Sequence, residues 1–284
     1  MKSTRQPIFF AASLLVLTML ACALPGQTTA STPAPTFDSA RLDTMIAKTV
    51  TAAIAQTQQA EPTATQAPIN TPVPTETPSP TLVVSGSSLT QQSDGTTLFA
   101  DSEGGYQLSV APGWLPVRIN EQEYYDAYTL EAAADTAVQD ALMSIQKMNP
   151  NDFRLFVYDL QDGHLQNGFL TNINLIWDRT GTISLENEDG IKELAAILPN
   201  SMPNLVVQSS SIATNANDVK TGTILSEIPT KAANGTDITI IQKQVFINLE
   251  TGVLVITFTT DKALQDATMP FFDTLVESIK LTSE

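Results

Sequence analysis

The chain has 284 residues, of which 42% are hydrophobic, a formal net charge of −16 and a single cysteine. From Thr97 onward Lys and Arg occur ten times and Asp and Glu twenty-five times, which gives that part a net charge of −15. A surface of this sign repels phosphate backbones and argues against nucleic-acid binding, and a lone cysteine excludes an internal disulfide. The folded part must therefore rest on an apolar core.

The N-terminal residues predict export. Lys2 and Arg5 are followed by an apolar run from Ile8 to Ala21. A helix needs about 20 apolar residues to cross a bilayer, and this run is too short for that but suits the core of a signal peptide. We therefore predict a signal peptide over residues 1–21.

The junction after this run resembles a known processing site. The residues Met19-Leu20-Ala21-Cys22 are similar to the lipobox of bacterial lipoproteins, in which the cysteine receives a diacylglyceryl group and becomes the new N-terminus. The resemblance implies that lipid on Cys22 holds the exported chain at a cell membrane or envelope, outside the cytoplasm. Ordinary secretory cleavage after Ala21 and a buried thiol remain as alternatives.

Residues 22–96 have the composition of a tether. They are rich in Thr, Ser, Pro, Ala and Gln and contain few large apolar residues, so burial cannot offset the entropy lost on ordering. One stretch near residues 38–58 places apolar residues at helical spacing and predicts a short helix. That helix is either a transient element of the tether or a self-association or membrane-surface helix.

From Thr97 the pattern predicts an α+β domain. Helices are expected over the second half of residues 123–148, at residues 191–198 with Pro199 ending the helix, and at the C-terminus with Pro270 in the first turn. A tight turn is expected at residues 250–252. Alternating or continuously apolar runs predict strands at residues 106–110, 153–160, 169–177, 205–212, 222–227, 238–248 and 253–259. An antiparallel sheet covered by helices is the economical packing for these elements.

Three segments of this domain carry a family resemblance. They are Tyr106 to Trp114 with its Pro-Gly-Trp turn, the strand pair Gln244-Val245-Phe246 and Val255-Ile256-Thr257-Phe258, and the closing Phe271 to Leu281. Together they are similar to the PsbP-like family, which includes oxygen-evolving-complex subunits, a Ran-binding protein and bacterial lipoproteins. The resemblance implies an α/β/α sandwich with a central antiparallel sheet over residues 97–284, and a binding or assembly role without catalysis.

The sequence offers no recognisable catalytic set. His164 is the only histidine, which excludes sites that need two imidazoles, and its Asp-Gly-His context predicts an ordinary loop residue. Glu186, Glu188 and Asp189 form an acidic cluster at the start of a predicted helix. The helix dipole alone favours carboxylates there, and a calcium site is the alternative. No cofactor is predicted.

A mixture of acidic and aromatic residues lies near the start of the domain. Glu121, Glu123 and Asp126 alternate with Tyr124, Tyr125 and Tyr128. We expect the start of a helix whose tyrosines lean on the core, with a surface for a partner or a sugar as the alternative.

Three functions follow from these observations. The first is a lipid-anchored envelope protein whose non-catalytic domain binds a protein partner or a small ligand. The second is a glycan-acting enzyme with a pair of carboxylates across a cleft. The third is a calcium-binding envelope protein.

Overall fold

The computed structural model describes residues 86–165, 168–202, 204–232 and 235–282. The predicted signal peptide, Cys22, the helix near residues 38–58 and most of the predicted tether lie outside the described residues. The described helices are α1 Gln122–Ala127, α2 Thr136–Ile145, α3 Glu188–Ser201 and α4 Gln265–Ser278, with 3₁₀ turns at Glu131–Ala134 and Lys262–Leu264. The described strands are β1 Ser87–Gln91, β2 Thr97–Asp101, β3 Tyr106–Val110, β4 Trp114–Val117, β5 Phe153–Asp159, β6 Asn172–Asp178, β7 Val206–Thr214, β8 Lys220–Lys231, β9 Asp237–Asn248, β10 Val253–Asp261 and β11 Lys280–Leu281.

The strands form two sheets in which every pairing between described strands is antiparallel. A small sheet has the order β1-β2-β3-β11, and a large sheet has the order β4-β5-β6-β10-β9-β8-β7. The central strands β6 and β10 are buried on both faces. The large sheet is therefore an inner layer, which needs cover on each side.

One face of the large sheet packs against the small sheet and α4. A single apolar cluster joins them, with Leu175 on β6 and Ile256 and Phe258 on β10 meeting Leu108 of the small sheet and Phe272 of α4. The Phe258 and Phe272 rings lie nearly parallel, with centroids 5.1 Å apart. We call this side of the sheet the α4 face.

The opposite side, which we call the α3 face, carries two separate apolar clusters. The first gathers Tyr124 of α1 and Leu142 of α2 over Phe156 of β5. The second gathers Leu194 of α3 over Phe246 of β9, among others. Helices on both sides of a central antiparallel sheet confirm the predicted α+β class and its α/β/α layering, and the small sheet is an addition to the α4 layer.

The folded part begins earlier than the predicted boundary at residue 96. β1, at Ser87–Gln91, lies inside the range predicted as tether and pairs along its whole length with β2. Its sequence, Ser-Ser-Leu-Thr-Gln, has the same composition as the residues before it. Because β1 is stabilised mainly by ladder hydrogen bonds to β2 and contributes only one apolar residue, Leu89, to the core, composition could not reveal it.

Two helix boundaries differ from those predicted at prolines. α3 continues past Pro199, since the N–H of Met202 still donates to the carbonyl of Leu198 at 3.2 Å. α4 starts five residues before Pro270, so this proline lies in the helix interior and not in its first turn. The side chain of Asp261 accepts the N–H of Ala263 at 3.0 Å and so caps the 3₁₀ turn at Lys262–Leu264, which continues directly into α4.

The remaining predicted elements are present. Strands occupy the seven predicted runs, and the predicted turn before β10 contains Gly252 with a φ of 86°. A Cβ there would lie 2.0 Å from the carbonyl oxygen of Asp178, so the turn requires glycine. Within the described ranges, no helix is both long and apolar enough to cross a membrane.

Candidate functional site

A group of buried polar residues occupies the centre of the α3 face, between its two apolar clusters. It comprises two residues from each of the three central strands, and all six are at most 3% exposed. We call these six residues the polar band: Asn172 and Asn174 on β6, Thr257 and Thr259 on β10, and Gln242 and Gln244 on β9.

The strand register arranges the polar band as a grid of two rows. Thr257 is the partner of both Asn174 and Gln244, and Thr259 is the partner of both Asn172 and Gln242. Residues paired directly across antiparallel strands project from the same face of the sheet. With strands about 4.8 Å apart and rows about 6.8 Å apart, the grid measures roughly 10 by 7 Å.

Most polar atoms of this grid have no hydrogen-bond partner. They are seven buried side-chain atoms, namely Asn174 Oδ1, Gln242 Oε1 and Nε2, Gln244 Oε1 and Nε2, Thr257 Oγ1 and Thr259 Oγ1. The side-chain amide of Asn172 is the exception, since its Nδ2 donates to the carbonyl of Leu170 at 3.0 Å. Both polar atoms of each glutamine side chain are unpaired.

Unpaired polar groups at this depth are costly. Each buried group without a partner costs about 1–3 kcal/mol, so the five side chains together cost about as much as the whole stability of a typical domain, 5–15 kcal/mol. All six band residues are uncharged. The band therefore suits a neutral molecule that both donates and accepts hydrogen bonds.

The grid is bordered by aromatic rings on one side. Phe156 and Tyr158 on β5 are the register partners of Asn174 and Asn172, and their rings lie nearly parallel with centroids 6.4 Å apart. On the other side Ser226 of β8 is the partner of Gln242. A molecule over the band would thus meet hydrogen-bonding groups in the middle and an apolar edge next to α2.

A second concentration of polar groups joins the two sheets. The guanidinium of Arg154 donates to both carboxylate oxygens of Asp101, at 2.6 and 2.9 Å, and both side chains are buried. Burial acts to lower the pKa of Arg154, but the hydrogen bonds to Asp101 and the electrostatic attraction of Asp101 and Glu103 act together in the opposite direction, and the pKa is raised. Asp101 also accepts the backbone N–H groups of Glu103 and Gly104. This carboxylate is fully engaged in tying the β2–β3 turn to β5.

An open pocket of about 730 Å³ lies beside this ion pair. Its walls are the β2–β3 turn, the β9–β10 turn and the C-terminal residues Leu281 and Thr282. Nearby, Arg179 stacks on Trp177 with 4.2 Å to the ring centroid and pairs with Glu103 at 3.1 Å. Because the Glu103 and Glu250 side chains that line the pocket are exposed to solvent, they need no ligand to be satisfied.

His164 lies in a loop, as predicted, but it has a specific partner. Its Nδ1 is 2.6 Å from Oδ2 of Asp159, whose side chain is fully buried. This pair could not be predicted from the sequence, because a turn separates the two residues and only the fold directs their side chains at each other. The contact gives the Asp159 carboxylate a partner inside the protein.

The acidic cluster considered for calcium lies at the first turn of α3. Glu186, Glu188 and Asp189 are exposed, and Glu188 pairs with Lys192 at 2.7 Å, a hydrogen bond that lowers the pKa of Glu188. The side chain of Asn187 caps the helix by accepting the N–H of Asp189 at 2.9 Å. Among the described residues, no three His, Cys, Asp or Glu side chains are grouped closely enough to hold a metal ion.

The acidic and aromatic residues near α1 are divided between core and surface. Tyr124 is buried, and its hydroxyl lies 2.9 Å from that of Tyr128 and donates to the carbonyl of Leu142 at 3.2 Å. Burial raises the pKa of Tyr124. Glu123 pairs with Arg118. Tyr124 at the centre of the group therefore packs on the core, as expected from the sequence, whereas Tyr128 is 40% exposed.

Comparison with known proteins gives likenesses of structure only. No family model and no curated protein sequence matches the chain. The solution structure of cyanobacterial PsbP (CyanoP) from Synechocystis is similar over 66% of this chain and 92% of that one, at 11% identity and a TM-score of 0.39. LpqN of Mycobacterium tuberculosis, described as involved in cell envelope biogenesis, is similar over 69% and 91%, at 13% identity and a TM-score of 0.35.

The Saccharomyces cerevisiae Ran-binding protein Mog1p is similar over 67% of this chain and 97% of that one, at 12% identity and a TM-score of 0.38. At such identities and TM-scores, no ligand, partner or activity of these proteins can be transferred to this chain. The polar band must be interpreted from its own geometry.

Proposed function

We propose that the chain is a lipid-anchored envelope protein whose α+β domain binds a small, neutral, hydrogen-bonding ligand over the polar band and catalyses no reaction. The observation that carries this proposal is the set of seven buried and unpaired polar atoms on three adjacent strands. A ligand with several hydroxyl or amide groups would satisfy donors and acceptors that the protein itself leaves unpaired.

Four of the buried carboxylates support a role without catalysis. Asp101 is held by Arg154 and Asp159 by His164, while Asp178 and Asp261 accept backbone N–H groups of Thr180 and Ala263. A general acid or base needs a carboxyl group directed at a substrate. Each of these four groups is instead directed at a neighbouring part of the protein.

The anchor part of the proposal rests on the sequence. The charged start, the apolar run and the residues Leu20-Ala21-Cys22 support lipid on Cys22. Two or more acyl chains hold a protein stably where a single chain is marginal. The net charge of −15 from Thr97 onward would keep the domain away from anionic headgroups.

Native mass spectrometry of the full chain, extracted gently from membranes, tests the ligand. We expect a small bound mass on the wild-type chain and none on the double variant Gln242→Met, Gln244→Met. The matched control is Gln107→Met, which makes the same change at a half-buried strand position in the small sheet. The proposal is wrong if wild type carries no such mass and a crystal structure shows water alone at the seven atoms.

Membrane fractionation tests the anchor separately. We expect Cys22→Ala to leave the membrane fraction, or to keep its uncleaved signal, while its circular dichroism stays that of wild type. A Cys22→Ala chain that stays on the membrane with its signal removed would contradict lipid attachment and leave the ligand proposal standing.

A further inference from the structure

The exposed apolar side chains of the domain mostly lie in one place, which the ligand proposal does not use. Among the described residues, five large hydrophobic side chains are exposed, and three of them lie on α2 or just after α1. We call these three the α1–α2 patch: Tyr128 at 40%, Leu130 at 40% and Met143 at 48% exposure. Single exposed apolar residues are ordinary, but a group of them indicates a surface that another apolar surface covers.

Hydrogen bonds hold the members of the patch close to each other. The Tyr128 hydroxyl lies 2.9 Å from that of Tyr124, which donates to the carbonyl of Leu142 at 3.2 Å. The Tyr128 side chain therefore reaches toward the residue that precedes Met143. Tyr124 and Leu142 are themselves buried in the core cluster beneath α1 and α2. The patch is thus fixed on a packed part of the domain.

The surroundings of the patch are acidic. Asp126, Glu131 and Asp135 are exposed. Residues 119–146 contain no Lys, Arg or His and six carboxylates, namely Glu121, Glu123, Asp126, Glu131, Asp135 and Asp140. A molecule that covers the patch must therefore offer apolar side chains together with positive charge.

One segment of this chain, outside the described residues, has this combination. Arg41 and Lys48 are the only basic residues between residues 22 and 96, and both fall in the helix predicted near residues 38–58. Because they are seven residues apart, they share one side of that helix. Its apolar stripe is formed by Leu42, Ile46, Val50, Ala53 and Ile54. A helix with such a stripe is stabilised mainly by packing it on another surface.

The described chain begins next to α1. The carbonyl of Ser87 in β1 accepts a hydrogen bond from Nη1 of Arg118, and Arg118 pairs with Glu123 of α1. Residues 59–85 connect the predicted helix to this point, and a coil of that length spans about 26–31 Å. A segment on so short a connection has an effective concentration at the patch in the millimolar range, so weak contacts are enough to bind it.

We propose that the segment near residues 38–58 docks as an amphipathic helix on the α1–α2 patch of its own domain. Its apolar stripe covers the patch, and its two basic residues lie toward the surrounding carboxylates. The occupant is this segment because no other part of residues 22–96 joins an apolar stripe to positive charge, and because the chain connects it to the neighbourhood of the patch. Docking leaves only residues 22–37 as spacer between the lipid proposed on Cys22 and the docked segment. The docking itself depends neither on that lipid nor on ligand binding at the polar band.

Disulfide trapping tests the contact in the full chain. The chain carries Cys22→Ala, so that the introduced cysteines are the only ones. Ile46→Cys with Met143→Cys should form an intramolecular disulfide under mild oxidation, because both positions belong to the apolar contact. The matched control pairs Ile46→Cys with Thr274→Cys, which is exposed on α4 at the other face of the large sheet, and should react about tenfold more slowly or less.

Hydrogen exchange measures the docking without introduced cysteines. In the full wild-type chain, the backbone amides of residues 38–58 should exchange about tenfold more slowly than in the double variant Leu130→Glu, Met143→Glu. That variant places two carboxylates at exposed positions of the patch and leaves the core unchanged. Leu281→Glu, at a similarly exposed apolar residue of β11, is the matched control and should exchange like wild type.

The outcomes separate the possible occupants. Equal exchange in wild type and in Leu130→Glu, Met143→Glu would overturn the proposal, and so would equal crosslinking at Met143→Cys and Thr274→Cys. A disulfide that forms only between two chains would assign the patch to a second copy. Protection that appears only with added anionic lipid vesicles would assign the segment to a membrane surface. Either of these results would also overturn docking within the chain.

Discussion

The two faces of the large sheet are equally buried but composed differently. On the α4 face, the buried threonine hydroxyls are paired: that of Thr260 lies 2.8 Å from that of Thr171 and 3.3 Å from that of Thr268, which also donates to a backbone carbonyl. Two atoms of the apolar cluster on this face, Tyr106 Oη and Trp114 Nε1, lack a partner. On the α3 face, the next residues along the same strand, Thr257 and Thr259, have unpaired hydroxyls. Since Thr260 lies on the same strand as Thr257 and Thr259, neither strand propensity nor depth explains the difference.

This contrast separates two uses of a buried surface. The α4 face forms one apolar cluster with the small sheet and α4, as expected of a surface that stabilises the fold. The α3 face gives up apolar contact at its centre, between the two clusters. A polar group left unpaired in the core costs stability, so folding alone gives no reason for the polar band, and the proposed ligand would give one.

Alkaline pH should produce the largest change in the free energy of unfolding. It also shows whether the two faces of the large sheet unfold together. Burial raises the pKa of Tyr106, beside the α4 face, and of Tyr158, on the α3 face. In the unfolded chain both ionise near their ordinary pKa of 10.0. Stability is therefore fully present below pH 10 and falls as the pH rises above it, by up to about 1.4 kcal/mol per pH unit for each tyrosine.

Tyrosinate absorbance and circular dichroism, followed together from pH 9 to 12.5, check this effect. We expect the buried tyrosines to ionise only as the domain unfolds, in a single transition. The double variant Tyr106→Phe, Tyr158→Phe should unfold at higher pH than wild type. Ionisation of all five tyrosines near pH 10 with the fold intact would contradict their burial.

The α4 face should respond strongly to the loss of apolar volume. Phe258→Ala removes a fully buried ring that stacks on Phe272, and we expect the free energy of unfolding to fall by about 3–5 kcal/mol. Urea unfolding measures this. Leu281→Ala, at a site that is 47% exposed, is the control and should change stability by less than about 0.5 kcal/mol. Similar losses at both sites would mean that this face is not the main core.

The α3 face should respond in the opposite direction when polar groups are removed. Gln244→Met keeps the side-chain length but removes two unpaired atoms, so we expect the ligand-free chain to gain about 1–3 kcal/mol. The reciprocal change on the α4 face, Ile256→Gln, should cost at least about 2 kcal/mol, because it buries an unpaired amide. If urea unfolding shows that Gln244→Met is destabilising, the band amides have partners that the structure does not show.

The smallest effect concerns the acidic start of α3, outside the polar band. Asn187→Ala removes the side-chain cap on the N–H of Asp189 and should lower stability by about 1 kcal/mol. Glu188→Gln breaks an exposed ion pair with Lys192 and should leave the stability almost unchanged, because water screens the pair. Thermal melts with and without millimolar calcium complete the measurement. A calcium-dependent rise in Tm that is lost in Glu188→Gln would support calcium binding at this cluster.

Much of the fold could be predicted from the sequence, because apolar periodicity marks its strands. The segments that became β5, β9 and β10 were predicted from apolar patterns alone. β1 could not be, since its residues resemble the Ser- and Thr-rich segment before them. The start of α4 was predicted too late, because a proline such as Pro270 suggests the first turn of a helix. The side chain of Asp261 instead caps the 3₁₀ turn that leads directly into α4.

The polar band could not be predicted for a different reason. Gln242 and Gln244 alternate with apolar residues on β9, a pattern that normally indicates a face in contact with water. Which faces of β6, β9 and β10 are covered depends on α1, α2 and α3, which pack from distant parts of the sequence. Sequence distance also concealed the contact between Arg154 and Asp101, which lie 53 residues apart.

The position of β1 determines how the domain responds to force. β1 is the outer strand of the small sheet, directly after the N-terminal segment, and five residue pairs join it to β2. A pull through that segment would load β1 first, together with the hydrogen bond from Arg118 Nη1 to the Ser87 carbonyl, so we expect β1 to detach before the large sheet unfolds. The outer strand of the small sheet would then separate under load and pair again afterward, while the polar band keeps its shape.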